Sequence, residues 1–420
     1  MVADGRGVHP PFQKPSFIPT SFASWPSVPN PFRCFSESVM PVIVSAKRTP
    51  IGRFLGSLKD RSAVDLACVA GEAALRGLDP ALIDQVIVGN VIGAGAGMNV
   101  ARQVGVRLGL PLSVPAFSVN MMCASGIQAV LLAAQAIKAG EARVVLCGGT
   151  ESMSNAPYLL PRARSGLKFG DATLVDSVLC DGLVDAFDHR HMALTAEALA
   201  KQYGISRTEQ DEFALRSQQR YEAARLAGRF ADELVPIDKL DRDEHARAET
   251  TLDGLAQLKP AFDPQGTVTA GNASGINDGA AMLIVADRDF ALRQGWPVLA
   301  TLLSWATCGC DPKWMGLGPV HAIRKLMDRD GMKFDLLDTV EINEAFAAQT
   351  LACARELSLD ESRLNPNGGA IAMGHPIGAS GARLVVHLAH RLARGESLHA
   401  LASLCVGGGQ GAAAVLSTVR

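Results

Sequence analysis

The sequence predicts an α/β protein, a mostly parallel sheet covered by helices on both faces. Two observations carry that prediction. From residue 41 onward, short apolar runs of strand length alternate with stretches of helical period, and the pattern that closes the first stretch returns near the C-terminus. Composition agrees, since 420 residues with 48% hydrophobic and 20% charged side chains describe an ordinary globular chain with room for two or three domains.

In chain order, "PVIVSA" reads as a strand and a helix follows from Ser62, where Ser62-x-x-Asp65 has the spacing of a capping box. "QVIVGNV" is the next strand, "NVARQVGVRLG" a helix, "AFSV" a strand, "IQAVLLAAQAIKAG" a helix and "RVVLCGG" a strand. Residues 152 to 276 break the alternation with turn-rich, charged stretches around two helices, "ALTAEALAKQYG" and Thr208 to Gly228, the second led by a capping box at Ser206-x-x-Glu209. A long insertion of this kind is suited to covering a site. Strands resume at "AMLIVAD" and "ATLLSWA", then come a helix near "HAIRKLM", the strand "DTVEIN", another helix and a glycine-rich final stretch.

Residues 1 to 39 are different: rich in Pro, Phe and Ser, without strand or helix period, and without the apolar core of a signal peptide or the arginines of a transit peptide. They are expected to be a disordered leader left by a misassigned start, with Met40 the true one and an organellar address the second reading.

Several function classes are disfavoured. Lys and Arg total 40 against 42 Asp and Glu, so the net charge of −2 offers no broad basic field for nucleic acid or an anionic membrane. No apolar run approaches the roughly 20 residues that span a bilayer. Nine cysteines, an odd number spread along a large chain, fit a reducing cytoplasm better than a disulfide framework. Cys308-Gly-Cys310 has no second ligand pair beside it, so no metal is expected. "GAGAG" at 93 to 97 follows a strand, but the third glycine of a dinucleotide fingerprint falls on Met98.

Attention therefore falls on Cys123 in "VNMMCASG". A lone cysteine is by default core filler. This one sits where a strand turns into a helix, and a thiol facing a helix N-terminus is expected to have its pKa lowered. The repeat adds weight: "CASGIQAVLLAAQAIKAGEARVVLCGG" from 123 and "GASGARLVVHLAHRLARGESLHALASLCVGGG" from 378 both run Ala-Ser-Gly, apolar helix, Gly, strand, Cys, glycines. In the second copy Gly378 takes the cysteine's place and His375 lies three residues earlier. If the copies face each other about a pseudo-twofold, Cys123 and His375 meet at the centre, outside the carboxyl ends of the strands where such sheets bind ligands.

The motifs "VNMMCASG", "GNASGINDGAA", "NEAFAAQ", "NPNGGAIAMGHPIGASGAR" and "CVGGGQGAA" occur in that order, and from about residue 41 to the C-terminus the chain resembles the thiolase family, in its short-chain branch. The resemblance implies a five-layered αβαβα fold of two similar halves, residues 40–151 with 277–298 and residues 299–420, with 152–276 as a loop domain. It implies an acetyl-CoA C-acetyltransferase that condenses two acetyl-CoA to acetoacetyl-CoA and CoA by a ping-pong route, with coenzyme A thioesters as substrates and no permanently bound cofactor. By this resemblance Cys123 is the acylated nucleophile, His375 its activating base, and Cys405 the acid/base at the α-carbon. Asn343 holds a water in one oxyanion site, or caps the following helix, or both. The backbone N–H groups of Cys123 and Gly407 form a second oxyanion hole, where a ligand lies close to the chain. His191, Met192, Arg247, Ser274 and Phe346 contact substrate or coenzyme A, whereas Gly254 stands where the family carries a contact serine. The segment "APYLLPRARSGLKFGDATLVDSVLCDGL" resembles the family's tetramerisation segment and implies a homotetramer built as a dimer of dimers.

Three other readings compete. A ketoacyl synthase would not pair Cys405 with Cys123, a papain-like hydrolase would lack the repeat, and a non-catalytic lipid- or CoA-binding relative would have lost a reacting side chain. A broader 3-ketoacyl-CoA thiolase is the nearer alternative.

Overall fold

The computed structural model describes residues 39–418, so the leader expectation for 1–39, Val39 apart, lies outside the described residues, as does Cys34. Strand β1 (Pro41–Arg48) shows how the sheet is faced. Val42 and Val44 enter one apolar cluster while Ile43 and Ala46 enter another, and a bulge between Ile43 and Ser45 sets their spacing. After it come β2 (Gly52–Arg53), α1 (Ala63–Ala74), β3 (Gln85–Gly89), α2 (Val100–Arg107), β4 (Ala116–Val119), α3 (Ser125–Lys138) and β5 (Val144–Ser152). The insertion carries β6 (Tyr158–Leu159), β7 (Val175–Asp176), a π-helical turn at Leu179–Leu183, α4 (Met192–Tyr203), α5 (Arg207–Leu226) and α6 (Leu252–Ala256). The chain continues through β8 (Asn277–Asp287), α7 (Arg288–Arg293), β9 (Ala300–Gly309), α8 (Gly318–Asp330) and β10 (Thr339–Ile342). It ends in α9 (Ala347–Glu356), α10 (Ala370–Met373), α11 (Ile377–Ala393), β11 (His399–Val406) and β12 (Gln410–Ser417). Both capping boxes form, at Ser62 with Asp65 and at Ser206 with Glu209.

The sheet is mixed, which corrects the expectation of a mostly parallel one. Its order is β10-β11-β12-β9-β1-β8-β5-β3-β4, and only β3/β4, β3/β5 and β10/β11 run parallel. The cause is how the chain returns: strands joined through a packed helix can align in parallel, whereas β8 enters from the insertion and β12 follows β11 through the tight turn at Gly407–Gly409. The order is also symmetric. Reading outward from the antiparallel β1/β9 contact, β8, β5 and β3 on one side answer β12, β11 and β10 on the other, and a parallel bridge of Val340 to Leu364 stands where β4 has its counterpart.

Helices α3 and α11, the two copies of the repeat, pack against each other and against strands of both halves. Helices α1 and α2 cover the outer face of one half, and α8 covers the other. At the central crossing the glycines of the two Ala-Ser-Gly steps are required: a Cβ on Gly126 would lie 2.7 Å from Ala382 N, and one on Gly381 would lie 2.6 Å from Ile127 N. The insertion is anchored by a buried ion cluster. Arg48, 1% exposed, donates from Nε to Glu233 Oε1 at 2.7 Å and from both Nη atoms to Asp243 at 2.7 and 3.0 Å, while His387 Nδ1 lies 2.9 Å from Glu233 Oε2.

Candidate active site

Cys123 is delivered by a strained turn. β4 ends at Val119, α3 begins at Ser125, and between them Met122 has φ +48, a left-handed backbone unusual for a methionine. Asn120 Oδ1 accepts from Met122 N at 3.0 Å, and Ser125 Oγ accepts from Met121 N at 2.8 Å while donating to Met122 O at 2.7 Å. These bonds fix the turn and set Cys123 against a cavity of about 320 Å³.

That cavity brings together Cys123, His375, Cys405 and Gly407 from opposite copies of the repeat. His191, Met192, Ser274 and Phe346 line it as well, and its remaining wall is apolar, including Met153, Leu183, Phe262 and Ile377. Arg247 does not join them. It lines a separate polar groove of about 740 Å³ beside Arg225, Lys239 and Arg242, with its backbone N–H donating to Gln218 Oε1 at 2.8 Å.

The Cys123 thiol is not acidified, contrary to the expectation from its helix terminus. Burial pushes it up to about 11, although N–H groups of Gly407 and of Cys123 itself favour the thiolate. Burial wins because the pocket is apolar. His375 is shifted the other way, to about 4, by burial and by the charge of Arg383, so it is a neutral imidazole at pH 7. Ser380 Oγ donates to Pro376 O at 2.9 Å and lies 2.5 Å from His375 Nδ1. With its one hydrogen committed, Ser380 accepts from Nδ1–H, which leaves Nε2 as the ring's acceptor, the atom able to receive a proton. Burial, with Cys123 nearby, raises Cys405 well above the usual thiol range. All eight described cysteines are free thiols.

Asn343 sits beside the imidazole, with Nδ2 3.4 Å from His375 Nε2. It is not the helix cap. Beyond β10 the chain bends at Ala345, whose N–H donates to Asn343 O at 3.1 Å, and α9 starts at Ala347 with Phe346 in the cap position. Asn343 Oδ1 is buried with no hydrogen-bond partner among the described residues, so a polar group of a ligand can be received there. His191 has a structural duty besides lining the cavity: its Nδ1 accepts from Ala193 N at 3.1 Å as the cap of α4, and its ring stacks on Phe262 with centroids 4.4 Å apart. Ser274 Oγ donates to Ala345 O at 3.0 Å. Gly407 is not crowded by protein, since a Cβ there would stay 3.5 Å from Met192 Sδ.

Sequence reading passed over Ser380, Phe262 and Glu151. The repeat held a signal for Ser380, because its counterpart Ser125 orders the turn before Cys123 just as Ser380 orders His375. Phe262 lies in an irregular stretch where no period singles it out. Among the described residues no group of three His, Cys, Asp or Glu is placed to hold a metal, and no helix is long and apolar enough to cross a membrane.

Comparison with known proteins agrees with this arrangement. Residues 41–289 match the family model for the thiolase N-terminal domain and residues 296–418 match that for the thiolase C-terminal domain. The chain is 50% identical over 387 residues to an acetyl-CoA acetyltransferase of Pseudomonas aeruginosa, covering 90% of this chain and 98% of that one. It is 50% identical over 383 residues to an acetyl-CoA acetyltransferase of Cupriavidus necator, covering 89% and 98%. The crystal structure of human mitochondrial 3-ketoacyl-CoA thiolase in complex with CoA superposes with a TM-score of 0.89 at 46% identity, covering 91% of this chain and 98% of that one. The chain has the thiolase fold of five αβαβα layers and belongs to the thiolase family.

Proposed function

We propose that this protein is an acetyl-CoA C-acetyltransferase, condensing two acetyl-CoA to acetoacetyl-CoA and CoA and running the reverse thiolysis. One observation carries the reading: two thiols and a neutral imidazole from opposite halves line one apolar cavity. Relatives at 50% identity that bear this activity in their names support the acetyl preference.

In the first step Cys123 gives its proton to His375 Nε2 as the sulfur attacks the thioester carbonyl, and the departing CoA thiolate takes that proton. The N–H groups of Cys123 and Gly407, which face the Cys123 sulfur, stabilise the oxygen of the tetrahedral species in this reading. In the second step Cys405 gives its proton to His375 Nε2, and the resulting thiolate takes a proton from the α-carbon of a second acetyl-CoA. Asn343 and His375 polarise its thioester oxygen, directly or through a water. The carbanion attacks the acetyl group, and Cys123 leaves and takes the proton held on His375 Nε2. Cys405 rests as a thiol, the form that protonates the carbanion when thiolysis cleaves the carbon–carbon bond. Coenzyme A thioesters are substrates in this reading, with His191, Met192, Ser274 and Phe346, which line the cavity, and Arg247, in the separate groove, assigned as their contacts. No cofactor is held permanently.

The working organisation is two halves, 40–151 with 277–298 and 299–420, around the 152–276 loop domain. The exposed apolar side chains of Tyr158, Leu167, Phe169 and Leu174 in the 156–183 segment support a homotetramer, which light scattering at micromolar concentration tests. A cytoplasmic location fits the free thiols.

The deciding experiment is thiolysis against chains of rising length. Acetoacetyl-CoA is expected to exceed 3-ketooctanoyl-CoA by at least about tenfold in kcat/KM, roughly 1.4 kcal/mol of transition-state binding. Equal values favour the broader 3-ketoacyl-CoA reading, the activity named for the human structural relative.

A further inference from the structure

Glu151, at the carboxyl end of β5, is fully buried, yet no step of the proposed chemistry uses it. Four donors converge on its carboxylate. Oε1 accepts from Asn90 Nδ2 at 2.8 Å and Ile92 N at 3.1 Å, and Oε2 accepts from Val91 N at 3.1 Å and Gly378 N at 2.9 Å. Three of these come from the loop after β3. The fourth is the first turn of α11, where Gly378 is the repeat's counterpart of Cys123. The place is full: a Cβ on Gly378 would lie 2.8 Å from Glu151 Oε2 and 2.7 Å from Thr150 O. So where one copy of the repeat presents a thiol to the cavity, the other is closed by an internal carboxylate.

The partners of that carboxylate surround the reacting groups. Ile92 and Val91 pack in an apolar cluster with Ile377, and Cys123 and Met122 pack against that cluster. Gly378 follows His375-Pro376-Ile377 directly, and on the other side of that turn His375 N donates to Asn277 Oδ1 at 2.8 Å. Across the strand pair Glu151 stands opposite Gly279, and a Cβ on Gly279 would lie 3.3 Å from Pro376 Cγ. The His375 turn is thus held at both ends by buried polar bonds.

We infer that Glu151 is a positioning residue for the acyl-transfer step, clamping the His375-Pro376-Ile377 turn to the Asn90–Ile92 loop so that the imidazole keeps its place relative to Cys123. This rests on the acetyltransferase reading above. The acceptor pattern makes the role specific to a carboxylate. Each oxygen receives two donors, so a glutamine in either amide orientation turns an NH₂ toward two N–H groups. A misplacement of about 1 Å at such a site can cost on the order of 10²-fold in rate.

The test is rapid-quench acetylation of Cys123 by acetyl-CoA, read as intact protein mass. In Glu151→Gln the rate at saturating acetyl-CoA is expected to fall at least about tenfold while the half-saturating concentration stays within about twofold, because Glu151 does not itself line the cavity. Melting temperature and one-equivalent alkylation of Cys123 by iodoacetamide establish that the variant is folded with its thiol accessible. A folded variant acetylated within about twofold of the unaltered protein, or one whose loss lies wholly in half-saturation, overturns the inference. Should Glu151→Gln not fold, Asn90→Ala decides, because it removes one donor and leaves the Glu151 carboxyl group in place. A fall of about threefold supports the clamp and an unchanged rate overturns it. If the unaltered protein takes no acetyl group on Cys123, the acetyltransferase reading itself falls, and this inference with it.

Discussion

Ser380 Oγ lies 2.5 Å from His375 Nδ1, and its own hydrogen is committed to Pro376 O at 2.9 Å. The serine therefore selects the imidazole tautomer that keeps Nε2 as a proton acceptor. Ser380→Ala removes that selection in a buried place. We expect kcat for condensation to fall on the order of 10- to 100-fold with KM for acetyl-CoA nearly unchanged, since Ser380 does not line the cavity. Steady-state kinetics at pH 7 checks this, and a rise in KM at constant kcat contradicts it.

The second prediction concerns pH. Burial and Arg383 put His375 at about 4, and burial puts the Cys123 thiol at about 11, so the resting pair is neutral. Iodoacetamide alkylation of Cys123 in the free protein should therefore climb across about pH 6 to 9 without a plateau. A plateau by pH 7 would reveal a thiolate–imidazolium pair. The histidine also affects stability. An unfolded histidine binds its proton below about pH 6.5, while folded His375 does so only below about 4. Between those values the unfolded chain holds more protons, so this contribution is complete above about 6.5 and is lost as pH falls toward 4. Urea midpoints measured across that window should fall, and less steeply in His375→Asn.

Not all of this was legible in the sequence. Strands β1, β3, β5 and β8 announce themselves because a fully buried strand is a continuous apolar run. Their directions do not, because pairing depends on how the chain returns from an insertion whose path no local pattern encodes. Cys123, His375 and Cys405 were legible through the repeat, since duplicated elements bring equivalent positions to one centre. Asn343 was half legible: residue type suggested a cap, but α9 does not start until Ala347 and the side chain turns to His375 instead. The acidity of Cys123 was misjudged because a helix terminus is visible in sequence, whereas the burial that outweighs it belongs to the assembled pocket. Glu151 gave no signal, for a carboxylate ending a strand looks like a surface residue until the Asn90–Ile92 loop and α11 close over it.

The third prediction concerns the clasp on the insertion. Burial acts to raise Glu233, but His387 and Arg48 outweigh it and hold that carboxyl well below the usual range. Arg48 meets Asp243 through both Nη atoms in a place with almost no exposure. Asp243→Asn keeps the shape and removes the charge, leaving Arg48 partly uncompensated. We expect a loss of about 3 kcal/mol in urea unfolding. A loss below about 0.5 kcal/mol would mean that the pair behaves like an exposed one.

The last prediction separates the two thiols. Acylation needs a nucleophile, its activating imidazole and donors for the oxyanion, and Cys405 is none of these. Cys405→Ala should therefore still gain about 42 Da, the net gain when one acetyl group replaces the thiol hydrogen, on mixing with acetyl-CoA, whereas Cys123→Ala should gain nothing. Carbon–carbon bond formation also needs a base at the α-carbon. Losing a well-placed general base costs on the order of 10² to 10⁴ in rate, so in Cys405→Ala condensation should stall with the acetyl-enzyme accumulated. Both side chains line the same cavity, and each truncation leaves the other wall in place, so a change in shape alone does not account for opposite outcomes. Intact-mass spectrometry of the two variants after a brief mix with acetyl-CoA reads the difference. An increment that persists in Cys123→Ala and vanishes in Cys405→Ala reverses the two roles, and an increment in both variants shows that Cys123 is not required and overturns its assignment as the nucleophile.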